Sequence, residues 1–402
     1  MKVSNIIDNK DNMVMVSDNK YKNYLFRVFK NLVEISSGSI DDINLKKPTS
    51  KGQIKVFKYI KKELRKMKVK EIKYFKNGYL YAYIPCETTL EKPFLLMAHV
   101  DTYPNTPNKN VKVKTEILPN LDIKFSSLDG KTLLGADDKA GIAEILTIVK
   151  YYKTCPWALH RPIEILFTSD EEVGRGVEDL PFHIIKSEKG FTIDGSAYGE
   201  VNYECFNAKK IEVTIKGRET HTGYAKNKMI NATTILNEYI KSLPKCRPEN
   251  TSGRKGFISI NNMKANIGSA YISLNLRAFD KNEMDELENN CLKFIWDIRE
   301  NSENKYFSIK DNIKVSVSDQ YNNCRDMIPE EFIERVRRAF KLANIKIKEI
   351  PIRGGTDGSL MTTKYKIPMI NIYTGSYEFH SVTEYALLNE MYSVVELLKH
   401  IF

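Results

Sequence analysis

Five short segments of this 402-residue chain end in residue types that can hold a metal or move a proton. In LLMAHVDTYPNTP, His99 and Asp101 stand two apart at the end of an apolar run, so on a strand both side chains point to one side. That spacing suits an imidazole ligand and a carboxylate that orients it; a surface hydrogen bond is the plain alternative. In LLGADDKAGIAEIL, Asp137 and Asp138 precede a helical pattern. Two carboxylates there could simply cap the helix, or they could set one carboxylate across two cations. EILFTSDEEVGRG brings Asp170, Glu171 and Glu172 to the end of a strongly apolar strand. Unpaired carboxylates are costly in such a place, and neighbouring acids raise one another's pKa, which suits a general base near neutral pH. Asp194 in FTIDGSAYGE and His380 in IPMINIYTGSYEFHSVTE are weaker signals alone, since an Asp before Gly is often only a turn residue.

The combination is more informative than any member. The chain has six histidines, and two of them stand at acid clusters or loops of one α/β pattern. Two imidazoles with four or more carboxylates form a hard, mixed N/O donor set suited to zinc, manganese or cobalt. Two cations sharing a carboxylate would generate hydroxide from water and polarise a carbonyl.

Such a set needs a scaffold that gathers strand ends. The pattern is helical from about Tyr21 to Met67, interrupted by the polar stretch Ser36–Ser50, with Ile54, Phe57, Ile60 and Leu64 at helical spacing. An alternating strand at Tyr79–Ile84, a buried-type strand at Phe94–Val100, a helix at Ala140–Tyr152 and a second buried strand at Ile163–Thr168 follow. This alternation predicts a mainly parallel α/β sheet with ligands at the carboxyl ends of its strands. Near Asn207 the pattern changes. A half-exposed strand at Lys210–Lys216, a helix at Met229–Ser242, strands near Gly256–Asn261 and Ala270–Leu276, a helix at Asn282–Glu300 and a strand at Ile313–Ser318 give the order β-α-β-β-α-β of a ferredoxin-like unit. The expected architecture is a discontinuous metal-binding catalytic domain, residues 1–206 and 319–402. An α+β lid and dimerisation domain, residues 207–318, is inserted in it.

Composition narrows the class. Hydrophobic residues at 42% and charged residues at 28% fit a globular protein. The apolar runs are strand-length, far short of the ~20 residues a membrane helix requires. The first 20 residues carry Asp and Asn and no apolar core, so no secretory signal is expected. The six cysteines are scattered without a C-x-x-C pair, as for reduced thiols in the cytoplasm. A net charge of +11 spreads over the whole chain without a nucleic-acid motif, which predicts a solvated Lys-rich surface rather than an RNA or DNA partner.

The segments HVDT, LLGADDKAG, FTSDEEVGRG, TIDG, RAFD, RGGTDG and YEFH, in this order, resemble the peptidase T family of tripeptide aminopeptidases. That family lies within the co-catalytic zinc aminopeptidases, carboxypeptidases and deacylases that carry an inserted lid. The resemblance runs over nearly the whole chain. It implies that His99, Asp137 and Asp194 hold one cation and Asp137, Glu172 and His380 a second, with Asp137 bridging. It also makes Glu171 the general base and Asp101 the acid behind His99, and it implies a cis Asp137–Asp138 peptide. His221 becomes a donor to the oxyanion, although Thr222 stands where relatives have proline. Arg277 and Arg353 become binders of the peptide carboxylate. The implied cofactors are two divalent ions per subunit, zinc first and manganese or cobalt as alternatives. The implied substrates are tripeptides, and a homodimer is expected. A dipeptidase or an N-acyl amino acid deacylase with the same centre is the rival reading, and a fold-sharing RNA-binding protein without catalysis is the more distant one.

Overall fold

A computed structural model describes residues 19–86, 89, 91–155, 157–300 and 312–402; the expectation of no secretory signal rests on the first residues, nearly all of which lie outside them. The elements in chain order are α1 (Lys20–Val33), α2 (Lys51–Lys66), β1 (Glu71–Phe75), β2 (Tyr79–Ile84), β3 (Phe94–His99), β4 (Val113–Ile117), β5 (Ile123–Ser127), α3 (Ala136–Thr154), β6 (Ile163–Thr168), β7 (Gly190–Gly195) and β8 (Glu200–Asn202). Next come β9 (Asn207–Lys216), α4 (Ala232–Ser242), β10 (Phe257–Ala265), β11 (Ser269–Ala278), α5 (Lys281–Glu300) and β12 (Ile313–Tyr321). The chain ends with α6 (Glu330–Leu342), β13 (Lys348–Glu349), α7 (Asp357–Tyr365), β14 (Met369–Tyr373), β15 (Ser376–Tyr377), β16 (Tyr385–Leu387) and α8 (Leu388–Ile401).

The chain divides into two compact units: residues 1–203, 326–350 and 356–402, and residues 204–325 with 351–355. The larger unit is built on an eight-stranded mixed sheet in the order β1-β2-β6-β3-β7-β14-β8-β13. Its centre is parallel, with β3 between β6 and β7 and β14 beside β7. The strands there are buried on both faces and mostly apolar: every residue of β3 and β6 is buried, the pattern of a sheet covered on both sides. Helix α3 lies against it, buried over nearly all of Ala136–Val149, with α1 and α8 packed beside it. Gly141 sets that closeness. A Cβ at this position would stand 1.9 Å from the Ile193 carbonyl oxygen on β7, so only glycine lets the start of α3 approach the strand that carries Asp194.

The smaller unit is a four-stranded antiparallel sheet in the order β10-β11-β9-β12, with α4 and α5 packed on it. Its core joins Ile211, Val213 and Ile215 of β9 to Ile235, Leu236 and Tyr239 of α4 and Cys291, Ile295 and Ile298 of α5. The order β-α-β-β-α-β with this strand arrangement is ferredoxin-like. The fold is thus mixed α/β with a separate α+β unit. The cis peptide that the resemblance implies between Asp137 and Asp138 is present, and both residues have non-helical dihedrals, so the regular run of α3 starts just after them. One stretch differs from the sequence reading. Residues 113–127 form the hairpin β4–β5, whose polar alternation gave no strand signal, and it pairs with β16.

Candidate metal centre

The parallel strands deliver their chemistry at one edge. His99 closes β3 and Asp101 follows it, Glu171 and Glu172 follow β6 in a 3-10 turn, and Asp194 lies near the end of β7. Asp137 enters from the start of α3, and His380 comes from the loop after β14 and β15.

All of these sit in the larger unit and converge. His99 Nε2 lies 2.8 Å from Asp137 Oδ1 and 3.6 Å from Asp194 Oδ1. His380 Nε2 lies 3.2 Å from the other Asp137 oxygen and 2.9 Å from Glu172 Oε2. Asp137 therefore faces one imidazole with each oxygen. Donor atoms of His99, Asp137 and Glu172 all lie within 4.8 Å of one another, as do those of His99, Asp138 and Asp194.

Asp138 is nevertheless a framework residue. Its oxygens accept from the His99 N–H at 3.1 Å and the Gly141 N–H at 3.1 Å, so it caps α3 and ties that helix to the end of β3. Asp101 works in the same way: its two oxygens accept the Glu171 and Glu172 N–H groups, each at 3.1 Å, while Oδ1 stands 3.4 Å from His99 Nδ1. Asp170, the first acid of its run, is committed to Thr49 and Gln53 at the start of α2.

The electrostatics show what the cluster lacks. Burial, then the charge of Asp137, pushes Glu172 up to about 7. Burial likewise pushes Asp194 up to about 7, against the pull of His99. Glu171 is raised well above the carboxylate range, by burial first and by Asp357, Asp194 and Glu172 next. Burial alone would lower both histidines. The carboxylates around them win, leaving His99 well above its ordinary value and His380 at about 10. Asp137 is held low by the two imidazoles despite its burial. Buried Glu172 Oε1 has no hydrogen-bond partner, and buried polar atoms are seldom left so. A crowd of carboxylates with open lone pairs beside two imidazoles fits divalent cations by charge and by donor type.

Three supporting residues escaped the sequence reading. Glu384 is buried and accepts from the Gly135 N–H at 2.5 Å and the Asp137 N–H at 3.0 Å, fixing the turn before α3. Lys139 is buried with its ammonium 2.7 Å from the Ile35 carbonyl, and burial brings it down to about 7. Asp357, in the RGGTDG segment, accepts from Thr168 Oγ1 at 2.7 Å, and burial pushes it up to about 6. A carboxylate four residues past His380 was the one available signal for Glu384.

The remaining candidates belong to the smaller unit. His221 is exposed, and its Nδ1 accepts the Gly223 N–H at 3.2 Å in a short turn that includes Thr222. Arg277, on β11, donates to its neighbour's carbonyl at 2.9 Å and lies over the Tyr321 ring. Arg353 is more committed: it donates to the Gly253, Lys255 and Thr251 carbonyls and to Thr251 Oγ1, and it lies over Phe206 and Phe257.

Similarity to known proteins points the same way. The model of peptidase family M20/M25/M40 matches residues 95–402. A peptidase T of Clostridium perfringens is 33% identical over 402 residues, covering 93% of this chain and 97% of the relative. One from Caldanaerobacter subterraneus is 33% identical over 382 residues, with coverage of 87% and 91%. Among solved structures, an aminopeptidase PepT from Bacillus cereus shares the fold with a TM-score of 0.75 at 21% identity, covering 94% of this chain and 97% of that one. A dinuclear metal-binding M20 peptidase from Bacillus subtilis does so at 0.68 and 14%, covering 95% and 97%. Matched by one family model over its last three hundred residues and by these relatives over most of its length, the chain belongs to the M20/M25/M40 peptidases.

Proposed function

We propose that the chain is a metallo-aminopeptidase that releases the N-terminal residue of tripeptides, with Glu171 as its general base. The observation that carries this reading is the convergence of His99, Asp137, Glu172, Asp194 and His380 at one sheet edge. His99, Asp137 and Asp194 would hold one divalent cation, and Asp137, Glu172 and His380 the other. Zinc is the favoured ion, and manganese and cobalt suit the same donors. Ions bound there would polarise a carbonyl oxygen and lower the pKa of water.

The chain's own groups do the rest. Glu171, whose pKa burial raises, takes a proton from the attacking water and passes it to the leaving amine. Asp101 faces His99 Nδ1, which places that proton on Nδ1 and leaves the Nε2 lone pair for coordination. His221 uses Nδ1 as an acceptor, so its proton resides on Nε2, the form that can donate to a developing oxyanion. Arg277 and Arg353 are the proposed binders of the peptide carboxylate. Arg277 has more uncommitted donors than Arg353 and is the stronger member of the pair.

The ferredoxin-like unit is proposed as lid and dimer interface, supported by its two sheet-edge strands, β10 and β12. None of the six cysteines is joined in a disulfide, which supports a reducing cytoplasmic setting. Among the described residues, no helix is long and apolar enough to cross a membrane.

A panel of di-, tri- and tetrapeptides and N-acyl amino acids, run with metal-stripped protein and with zinc, manganese or cobalt restored, tests the reading. Metal-dependent release of the first residue from tripeptides is expected. Preference for dipeptides or N-acyl amino acids would overturn the substrate assignment in favour of the sister activities.

A further inference from the structure

His380 is the most exposed of the clustered donors, with 43% of its side chain accessible, and it sits in a loop at a φ of +63°. A left-handed, half-open histidine needs outside contacts to keep one orientation. The segment directly after His99 and Asp101 provides them. The Tyr103 ring lies flat on the His380 imidazole, centroids 4.1 Å apart and planes within 1°. Thr106 Oγ1 donates to the His380 carbonyl at 2.6 Å. The tyrosine is itself held: its hydroxyl accepts from Asn105 Nδ2 at 3.2 Å and its carbonyl from Asn108 Nδ2 at 3.0 Å. Both prolines of TYPNTPN, Pro104 and Pro107, fix φ within the segment.

We infer that residues 103–108 form a clamp that holds His380 for the cation it shares with Asp137 and Glu172, with Tyr103 and Thr106 as its positioning residues. Stacking fixes the ring plane, and the carbonyl bond fixes the backbone that carries it. With both in place Nε2 faces Asp137 and Glu172 without searching rotamers, so the loop entropy is lost on folding rather than on binding. His99 requires no such device, being buried within the sheet edge. The clamp therefore acts on one of the two cation sites.

This inference rests on the metallopeptidase reading, and the test separates the two. Metal-stripped wild-type, Tyr103→Ala, Tyr103→Phe and Thr106→Val proteins are titrated with zinc against a chromophoric chelator, and tripeptide hydrolysis is followed across the titration. Wild type should take up two zinc ions. Tyr103→Ala should weaken one site by roughly 10-fold or more and leave the other within about twofold. Its kcat should be low at limiting zinc and recover in excess, with KM little changed. Tyr103→Phe, which keeps the stack, should match wild type within about twofold, and Thr106→Val should weaken the same single site even if Tyr103→Ala fails to fold. Two unaltered sites in both Tyr103→Ala and Thr106→Val would overturn the clamp while the peptidase reading stands. A wild-type protein that binds none of zinc, manganese and cobalt would sink the peptidase reading, and the clamp with it.

Discussion

Stripping divalent cations from this protein should make its stability fall as pH rises from about 5 to 8, and restoring them should cancel that fall. An acid whose folded pKa lies above its unfolded value keeps an extra proton in the native state between the two values, so stability is lost on climbing through that window. Glu172 goes from an ordinary 4.5 to about 7, and Asp194 from 3.8 to about 7. At about 1.4 kcal/mol per pH unit, each alone amounts to about 3 kcal/mol of native stability lost between pH 5 and 8. The two face the same imidazoles, so about 3 kcal/mol for the cluster is the expected size, not the sum. The histidines push in the same direction above pH 6.5, because His99 and His380 hold protons that unfolded imidazoles release. Asp137 runs the other way, and its contribution is complete by about pH 4; buried Lys139, brought down to about 7, also opposes the fall above pH 7. A loss of this size corresponds to a fall in Tm of about 4 °C for a protein of this length. Thermal unfolding followed by circular dichroism at pH 5, 6, 7 and 8, with chelator and with excess zinc, reads it directly. A flat or rising Tm in the stripped protein would refute the argument that the carboxylate cluster is short of positive charge.

Further outcomes follow from single contacts. Glu171→Gln should lower kcat by at least about 10²-fold while zinc content stays within error of wild type, measured by steady-state kinetics and elemental analysis; retained turnover would remove Glu171 as the base. Asp101→Ala strips acceptors from the Glu171 and Glu172 N–H groups. It should cost about 2–4 kcal/mol in denaturant unfolding as well as activity, and an unchanged unfolding midpoint would contradict the framework role. Gly141→Ala puts a methyl 1.9 Å from the Ile193 carbonyl oxygen. It should destabilise by at least about 2 kcal/mol and weaken zinc binding, whereas a fully stable, zinc-loaded variant would show that α3 need not sit so close to β7.

Much of this was legible beforehand because the strongest signals are periodic or clustered. The strands at Phe94–His99 and Ile163–Thr168 are buried throughout and mostly apolar, so their ends, and the acids just past them, could be located on the line of the sequence. The β-α-β-β-α-β unit was readable for a similar reason, with β9 alternating cleanly between core and solvent. The hairpin β4–β5 was not readable. Its first strand is largely exposed, and its second strand pairs on the other side with β16, some 260 residues further on, which no local pattern records. The regular run of α3 was legible because Asp137 and Asp138, whose dihedrals are not helical, read as a turn before it. Glu384 and Lys139 went unnoticed because their role is burial against distant backbone: the glutamate meets Gly135 and Asp137 across some 250 positions, and the lysine meets Ile35 across 104. Periodicity reports which face of an element is buried, whereas a long-range polar contact has no period.

The motif acids divide by what their oxygens accept, a distinction that residue type cannot make. Asp101, Asp138 and Glu384 spend theirs on backbone N–H groups, and Asp170 spends its on Thr49 and Gln53. Asp137, Glu172 and Asp194 turn theirs instead toward imidazole nitrogens. The first group lowers the free energy of the fold whether or not a cation is present, since buried N–H groups without acceptors are costly. The second group is held together against its own repulsion, which is tolerable only because the first group fixes the backbone that carries it. Asp138 ties α3 to β3, Asp101 ties β3 to the turn after β6, and Glu384 ties the last loop to the start of α3. Three framework carboxylates thus join every segment that contributes a donor except β7, and there Gly141 brings α3 into direct contact. A site assembled this way keeps its geometry without its ions while remaining electrostatically incomplete, the condition under which binding a cation stabilises the protein most.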